Sequence, residues 1–268
     1  MKKVILSISI VSIFIVCVIM ANINSTVLTS ATMNNKTISW GIKRDNAHKQ
    51  PDVGVKNKEM LENNNGICLG NDIDNKIYLT FDSGYEAGYT DQILDILKEN
   101  DVKATFFITS HYLNTASEKV ERMIQDGHII GNHTVNHKSL PSISDEEIEK
   151  EIMILHHVMY EKYEYEMKYI RPPKGEFNER TLKKCASLGY KTVMWSFAYC
   201  DWDEKKQPSI NEATKIIENN FHSGEIMLLH SNSKTNSEVL DTIIKKAKSD
   251  GYEFKSLDEL GWSNEKEK

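Results

Sequence analysis

The chain has 268 residues, 40% of them hydrophobic and 27% charged, with a formal net charge of −6 at pH 7. That length suits one large domain or two small ones, and the mild acidity, with no long basic run, excludes a nucleic-acid footprint. The first element is a leader: Met1, Lys2 and Lys3 precede an apolar run over residues 4–21, broken only by Ser7, Ser9 and Ser12. Two lysines before such a run have the form of a secretory n-region and h-region. As a helix the run would reach ~27 Å, near the hydrocarbon thickness of a bilayer. Residues 1–25 are therefore expected to serve export, as a cleaved signal peptide or as an N-terminal membrane anchor. Outside the leader stand three cysteines, Cys68, Cys185 and Cys200, with no C-x-x-C spacing; an odd number is no disulfide framework, and buried thiols are expected.

Residues 26–70 are polar and asparagine-rich, with Trp40 and Ile42 as scattered anchors. They read as a linker and an extension packing on the main domain. From residue 76 a unit repeats: short apolar strand, polar loop, amphipathic helix. Strands are expected over 77–81, 104–109, 128–130, 192–195 and 226–229. Thr90 is expected to cap a helix carrying Ile93, Leu94 and Leu97. Ser144 with Glu147 forms a capping box ahead of Ile148, Ile152, Leu155 and Met159, and Ser209 with Glu212 forms another. Leu182, Cys185 and Leu188 lie on one helical stripe ended by Gly189. Val239, Leu240, Ile243, Ile244 and Ala247 lie on the last, ended by Gly251. Residues 263–268 form a polar tail. Continuous apolar strands alternating with helices imply a parallel sheet covered on both faces, as a barrel or an open doubly wound sheet. No G-x-G-x-x-G follows a strand, which argues against a dinucleotide site.

Chemistry collects where these strands end. Asp82 follows Phe81, His133 and His137 follow "GHIIGN", Arg171 opens "RPPKGEF", Asp201 and Trp202 follow "VMWSFAYC", and His230 follows "IMLL". That edge is where parallel α/β folds build their sites. On a helical turn the H-x-x-x-H pair would share a face and could meet one metal. Singly, each of these residues has an ordinary structural use, as cap, turn or hydrogen-bonded core group. Together they make a metal-assisted hydrolase: ligand pair, base, acid, and an arginine and an aspartate to orient them. His48, His111, His128, His156, His157 and His222 do not join the pattern and are expected on the surface or in packing.

"TFDSGYE", "GNHTVNH", "RPPKGEF", "WSFAYCDWD" and "LLHSNS" resemble, in order and spacing, the five motifs of the NodB-like polysaccharide deacetylases, carbohydrate esterase family 4. The resemblance covers residues 71–262. It is nearest to the delta-lactam-biosynthetic peptidoglycan de-N-acetylases of spore-forming bacteria, a likeness that "SWGIKRDNAHKQPDVG" extends upstream. The family implies an α/β fold, a distorted (β/α) barrel, and a divalent metal, zinc first among the candidates. By resemblance Asp82 is the general base, His133 and His137 the metal ligands and His230 the general acid. Asp201 holds His230, Arg171 orients Asp82, and Pro173, Lys174, Trp202 and Leu228 line the substrate pocket. A backbone N–H of "RPPKG" would stabilise the oxyanion. Ser83 departs from the family at the usual third-ligand position, where most members carry an aspartate, so weak or water-mediated metal binding is expected. The subgroup implies N-acetylmuramic acid in spore cortex peptidoglycan as substrate, after an amidase has removed the stem peptide, with delta-lactam closure following. Lys174 is a candidate partner for the lactyl carboxylate. The alternatives are an N-acetylglucosamine deacetylase acting on peptidoglycan or chitin, and a degenerate wall-binding protein. The expected protein is exported and monomeric, and touches a membrane only through its N-terminal segment.

Overall fold

The strand that carries Asp82, β3 (Lys76–Ser83), is buried along seven of its eight residues and has partners on both sides in a parallel sheet. The computed structural model of the protein describes residues 35–44 and 47–261; the expected leader and polar tail lie outside the described residues. Around β3 stand β1 (Ile38–Ser39), β2 (Gly66–Ile67), β4 (Thr105–Ile108), β5 (Ile129–Asn132), β6 (Tyr169–Ile170), β7 (Glu176–Phe177), β8 (Lys191–Val193), β9 (Glu225–His230) and β10 (Glu253–Phe254). The main sheet runs β10-β3-β4-β5-β6-β8-β2, and β9 pairs with β3 as well. Every pairing in this sheet is parallel. The sheet curls into a half-barrel, the mixed α/β architecture that the motifs implied.

Alternation along the strands decides which side chains reach the site. Successive side chains in a strand point to opposite faces. Ile77, Leu79, Phe81, Phe106, Ile108, Ile130, Met227 and Leu229 belong to the large core between sheet and helices. Tyr78, Phe107, Ile129, Tyr169, Val193 and Ile226 form a second cluster on the concave side. Continuing the concave parity by twos past these residues leads from Tyr78 to Asp82, from Ile129 to His133, from Tyr169 to Arg171 and from Ile226 to His230. The register pairs Asp82 with Phe107 on one side and with His230 on the other. Four chemically active side chains thus emerge on one face of adjacent strand ends.

The helices are α1 (Val55–Glu62), α2 (Thr90–Glu99), α3 (Ser110–Thr115), α4 (Ser117–Gln125), α5 (Asp145–Tyr163), α6 (Glu179–Ser187), α7 (Ile210–Glu218) and α8 (Lys234–Ser249). The capping boxes at Ser144 and Ser209 are present, and a third, Asn178 with Thr181, starts α6. Thr90 is not a cap: Tyr89 holds that position, and the Thr90 hydroxyl is buried against the Tyr112 hydroxyl at 2.9 Å. No helix among the described residues is long and apolar enough to cross a membrane.

Within the asparagine-rich stretch, Gly66–Ile67 joins the sheet edge beside β8, and Ile38–Ser39 pairs antiparallel with β7. Trp40 is buried and its indole N–H donates to the Trp195 carbonyl at 2.9 Å. With Leu61, Cys68 and Leu69 it packs on Phe177, Leu182 and Met194 as a third apolar cluster. Cys68 and Cys185 are buried as expected, and burial pushes both thiols up to about 12. Cys200 departs from the expectation: it is exposed, because it stands in the loop that follows the sheet.

Candidate active site

Asp82 is 7% exposed, and its Oδ1 accepts a hydrogen bond from Arg171 Nη1 at 2.8 Å. Arg171 is fully buried; its Nε donates to the Val193 carbonyl, and its guanidinium lies over the Phe107 ring, 4.2 Å from the centroid. Burial alone would raise the Asp82 carboxyl. The Arg171 charge first, then the favourable interactions with His133 and His230 and the Arg171 hydrogen bond, outweigh burial and hold it below the usual carboxylate value.

His133 and His137 lie in the loop after β5. That loop is not the helical turn expected from the H-x-x-x-H spacing: Thr134 and His137 have φ of 70° and 55°. Its own side chains and one from α5 hold it in shape. Asn132 Oδ1 accepts from Thr134 N at 2.8 Å, and Thr134 Oγ1 accepts from His137 N at 3.1 Å. Glu151 of α5 is 4% exposed and accepts from both the backbone and the side-chain amide of Asn136, each at 2.7 Å. The two imidazoles meet with Nε2 atoms 3.1 Å apart, and His133 Nε2 is 3.6 Å from Asp82 Oδ2. His133 Nδ1 is 2.9 Å from the Arg171 carbonyl, which can only accept. Nδ1 therefore carries the proton, and neutral His133 presents a lone pair at Nε2. Burial, then the repulsion that two protonated rings this close would feel, lowers His137 to about 4; burial likewise lowers His133.

Ser83 is fully buried, and its Oγ accepts a hydrogen bond from Ser231 at 2.8 Å. Across the strand pair, His230 Nδ1 donates to Asp201 Oδ1 at 2.7 Å, and the His230 backbone N–H donates to Asp201 Oδ2 at 2.8 Å. Burial would lower His230; the charge and hydrogen bond of Asp201, with Asp82 beyond it, outweigh burial and raise it. Asp201 is fully buried, whereas Trp202 is 53% exposed with its ring 5.8 Å from the His230 ring.

These groups open on a cleft of about 900 Å³ lined by Asp82, His133, His137 and His230, together with Lys174, Trp202 and Leu228. Pro173 is buried beside the cleft, and its neighbours Lys174 and Gly175 line it. His111, expected on the surface or in packing, lines the cleft at the start of α3, and Tyr85 and Trp195 line it too. Sequence spacing gave no reason to select these three. The buried Glu151 was also missed, although an acid on the apolar stripe of α5, three residues after Ile148, is a signal that could have found it.

Among the described residues no group of three His, Cys, Asp or Glu side chains is arranged to hold a metal ion. The donor set still fits a divalent cation held by two ligands. Burial lowers both imidazoles and so favours the neutral form that a metal ligand must have. The 3.1 Å separation of their Nε2 atoms is within the span of two metal–nitrogen bonds of ~2.0–2.1 Å. The Arg171 carbonyl orients His133 from behind, as outer-shell partners of metal-bound histidines do. The Ser83 hydroxyl, committed to Ser231, offers no strong third bond.

The family profile described as polysaccharide deacetylase matches residues 70–193. The chain is 40% identical over 232 residues to the peptidoglycan-N-acetylmuramic acid deacetylase PdaA of Bacillus subtilis, covering 86% of this chain and 88% of that one. It is 34% identical over 187 residues to a peptidoglycan-N-acetylglucosamine deacetylase of Bacillus cereus, covering 69% of this chain and 87% of that one. The solved structure of B. subtilis PdaA, described as a family 4 carbohydrate esterase, superposes with a TM-score of 0.82 at 40% identity over 84% of this chain and 97% of that one.

Proposed function

The chain belongs to the polysaccharide deacetylases of carbohydrate esterase family 4, and from that membership we propose that it hydrolyses the N-acetyl group of N-acetylmuramic acid in peptidoglycan. The observation that carries the reading is the pair Asp82 and His230. They are register partners on β3 and β9, and their surroundings shift them in opposite directions, Asp82 down and His230 up, beside two convergent imidazoles. Two titratable groups driven apart in this way are suited to be base and acid of one reaction.

His133 and His137 would hold a divalent cation, zinc first among the candidates, which when bound would supply Lewis acidity toward the acetyl carbonyl and the attacking water. The protein's own groups do the rest. Asp82, kept ionised by Arg171, accepts the proton of the attacking water as its oxygen bonds to the acetyl carbon. The negative charge that develops on the carbonyl oxygen needs a hydrogen-bond donor. In "RPPKG" the Arg171 N–H goes to Asn132 O, the two prolines have none, and the Gly175 N–H goes to Pro172 O. This leaves the Lys174 N–H, on a residue that lines the cleft. His230 is held by Asp201 at Nδ1 and turns Nε2–H to the cleft. It protonates the departing sugar nitrogen as the carbon–nitrogen bond breaks, and acetate and a free amine result. Trp202 and Leu228 wall the acetyl group.

Electrostatics favours a muramic over a plain glucosamine sugar. Of the cleft residues, Asp82 is ion-paired to Arg171 and His230 to Asp201. Lys174 is exposed, and it has no ion pair among the described residues. Its ammonium is free for the lactyl carboxylate, which only the muramic sugar carries. Removal of the acetyl group leaves an amine on the same sugar as that carboxylate, the pair needed to close a muramic delta-lactam. On this reading the enzyme works outside the cytoplasm in spore cortex synthesis, after an amidase has exposed the lactyl group; that its relatives act on peptidoglycan supports the location.

Residues 26–268 incubated with peptide-free peptidoglycan and with chitin oligomers, with and without added zinc, test this by acetate release. Release from the peptidoglycan muramic residues, abolished in Asp82→Asn, is expected. Release from chitin alone would overturn the muramic assignment, and no release from any glycan would overturn the enzyme.

A further inference from the structure

Behind the His230–Asp201 pair lies a layer that none of the five motifs marks as functional. Asn236, in the first turn of α8, is fully buried. An amide in that setting costs ~1–3 kcal/mol unless its hydrogen bonds are made. All of them are made, and they converge on the acid. One Nδ2 hydrogen goes to Asp201 Oδ2 at 2.6 Å and the other to the His230 carbonyl at 3.1 Å. Both of those oxygens can only accept, so the orientation of the amide is determined: nitrogen toward Asp201, oxygen toward Tyr199. The buried Tyr199 hydroxyl then donates to Asn236 Oδ1. The backbone N–H of Asn236 donates to Ser233 Oγ at 3.1 Å, the side-chain cap of α8, so the helix start is anchored to the same group. Asp201 Oδ2 is shared between Asn236 and the His230 backbone N–H, which leaves Oδ1 to face the imidazole.

We propose that Asn236, locked by Tyr199, is a positioning residue for the general acid, holding the Asp201 carboxylate in the one orientation that presents Oδ1 to His230 Nδ1. The inference rests on the deacetylase reading for its kinetic consequence, though not for its structural one. Without Asn236, Asp201 keeps its charge but loses one of the two hydrogen bonds that fix Oδ2; only the His230 backbone N–H is left to hold it, and the carboxylate is less tightly oriented. His230 then loses the fixed direction in which its Nε2–H meets the leaving nitrogen. A displacement of that order costs up to ~10²-fold in rate. Because Asn236 touches no part of the cleft, substrate binding is unaffected.

The test compares wild type with Asn236→Leu and Tyr199→Phe, each checked for intact folding by thermal melting. For Asn236→Leu, kcat is expected to fall ~10²-fold, with KM within about a factor of two. Tyr199→Phe removes one oxygen, tolerates the core, and is expected to lose kcat in the same direction by a smaller factor, so it decides the matter if Asn236→Leu does not fold. A second readout needs no substrate. The His230 Nδ1–H proton, hydrogen-bonded to a carboxylate, gives a far-downfield NMR resonance in wild type, which is expected to vanish or move upfield in both variants. An unchanged resonance and unchanged kcat in a folded variant would overturn the proposal. If wild type itself released no acetate, the deacetylase reading would fall while the resonance still judged Asn236.

Discussion

At the scale of single residues the site is a set of oppositely tuned groups. Arg171 and the imidazoles hold Asp82 below the usual carboxylate value against its own burial, and Asp201 raises His230 against its burial. Neither group could reach this state on an exposed loop, where water would screen the partner charges. Lys174 is the residue whose role is most open to direct measurement. Its backbone is held at φ 61°, a conformation that costs a non-glycine residue ~1–3 kcal/mol, while its side chain reaches solvent. An exposed ion pair is worth up to ~1 kcal/mol. Lys174→Ala should therefore raise KM for a muramic substrate about 3- to 5-fold and leave an N-acetylglucosamine substrate unchanged. Steady-state acetate release on the two sugars, at low and at high salt, reads this directly. An equal loss on both would show that the ammonium does not meet the lactyl group.

At the scale of elements, strand parity and a few long-range supports build the site. The apolar runs of β3, β4 and β9 were legible in the sequence because each is long enough to show a strand's composition. β2, β6 and β10 have two residues each and show no period, so Arg171 was legible only through its motif and not through the strand it ends. The histidine loop shows the converse. Its spacing reads as helix, and Glu151 on a distant helix, with Asn132, imposes the left-handed residues that bring the two imidazoles together. Gly131 gives the element-scale prediction. A Cβ there would lie 2.4 Å from the Phe107 ring, which in turn supports Arg171. Gly131→Ala should cost ~1–3 kcal/mol by overpacking and should lower activity by shifting Arg171 against Asp82. Denaturant unfolding and acetate release measure the two effects. Unchanged stability would mean that the ring yields freely.

At the scale of the whole molecule, Glu225 at the start of β9 sets a pH dependence of stability. It is fully buried, burial raises its carboxyl well above the ordinary value, and its Oε1 finds no partner among the described residues. His222, 3.7 Å away, is lowered chiefly by burial, so the two face each other as neutral groups rather than as an ion pair. Between the unfolded carboxyl value of ~4.3 and the raised folded value, the native state holds a proton that the unfolded chain has lost. Stability therefore falls as pH rises through that window. Glu225→Gln, neutral at all pH, should come closest to wild type in thermal melts near pH 4 and exceed it increasingly toward pH 8; a constant difference across that range would refute the assignment. The same scale separates what was readable from what was not. By itself the sequence determined the order of the motifs, the alternation of strand and helix, and the residue types at each strand end, because composition and capping act locally. Only the tertiary structure decided that β9, late in the chain, lies against β3. It also decided that Asn236 backs the acid, and that Glu151 shapes a loop fifteen residues before it. Those contacts depend on backbone pairing and register between distant segments, where a slip of one residue would turn Asp82 or His230 away from the cleft.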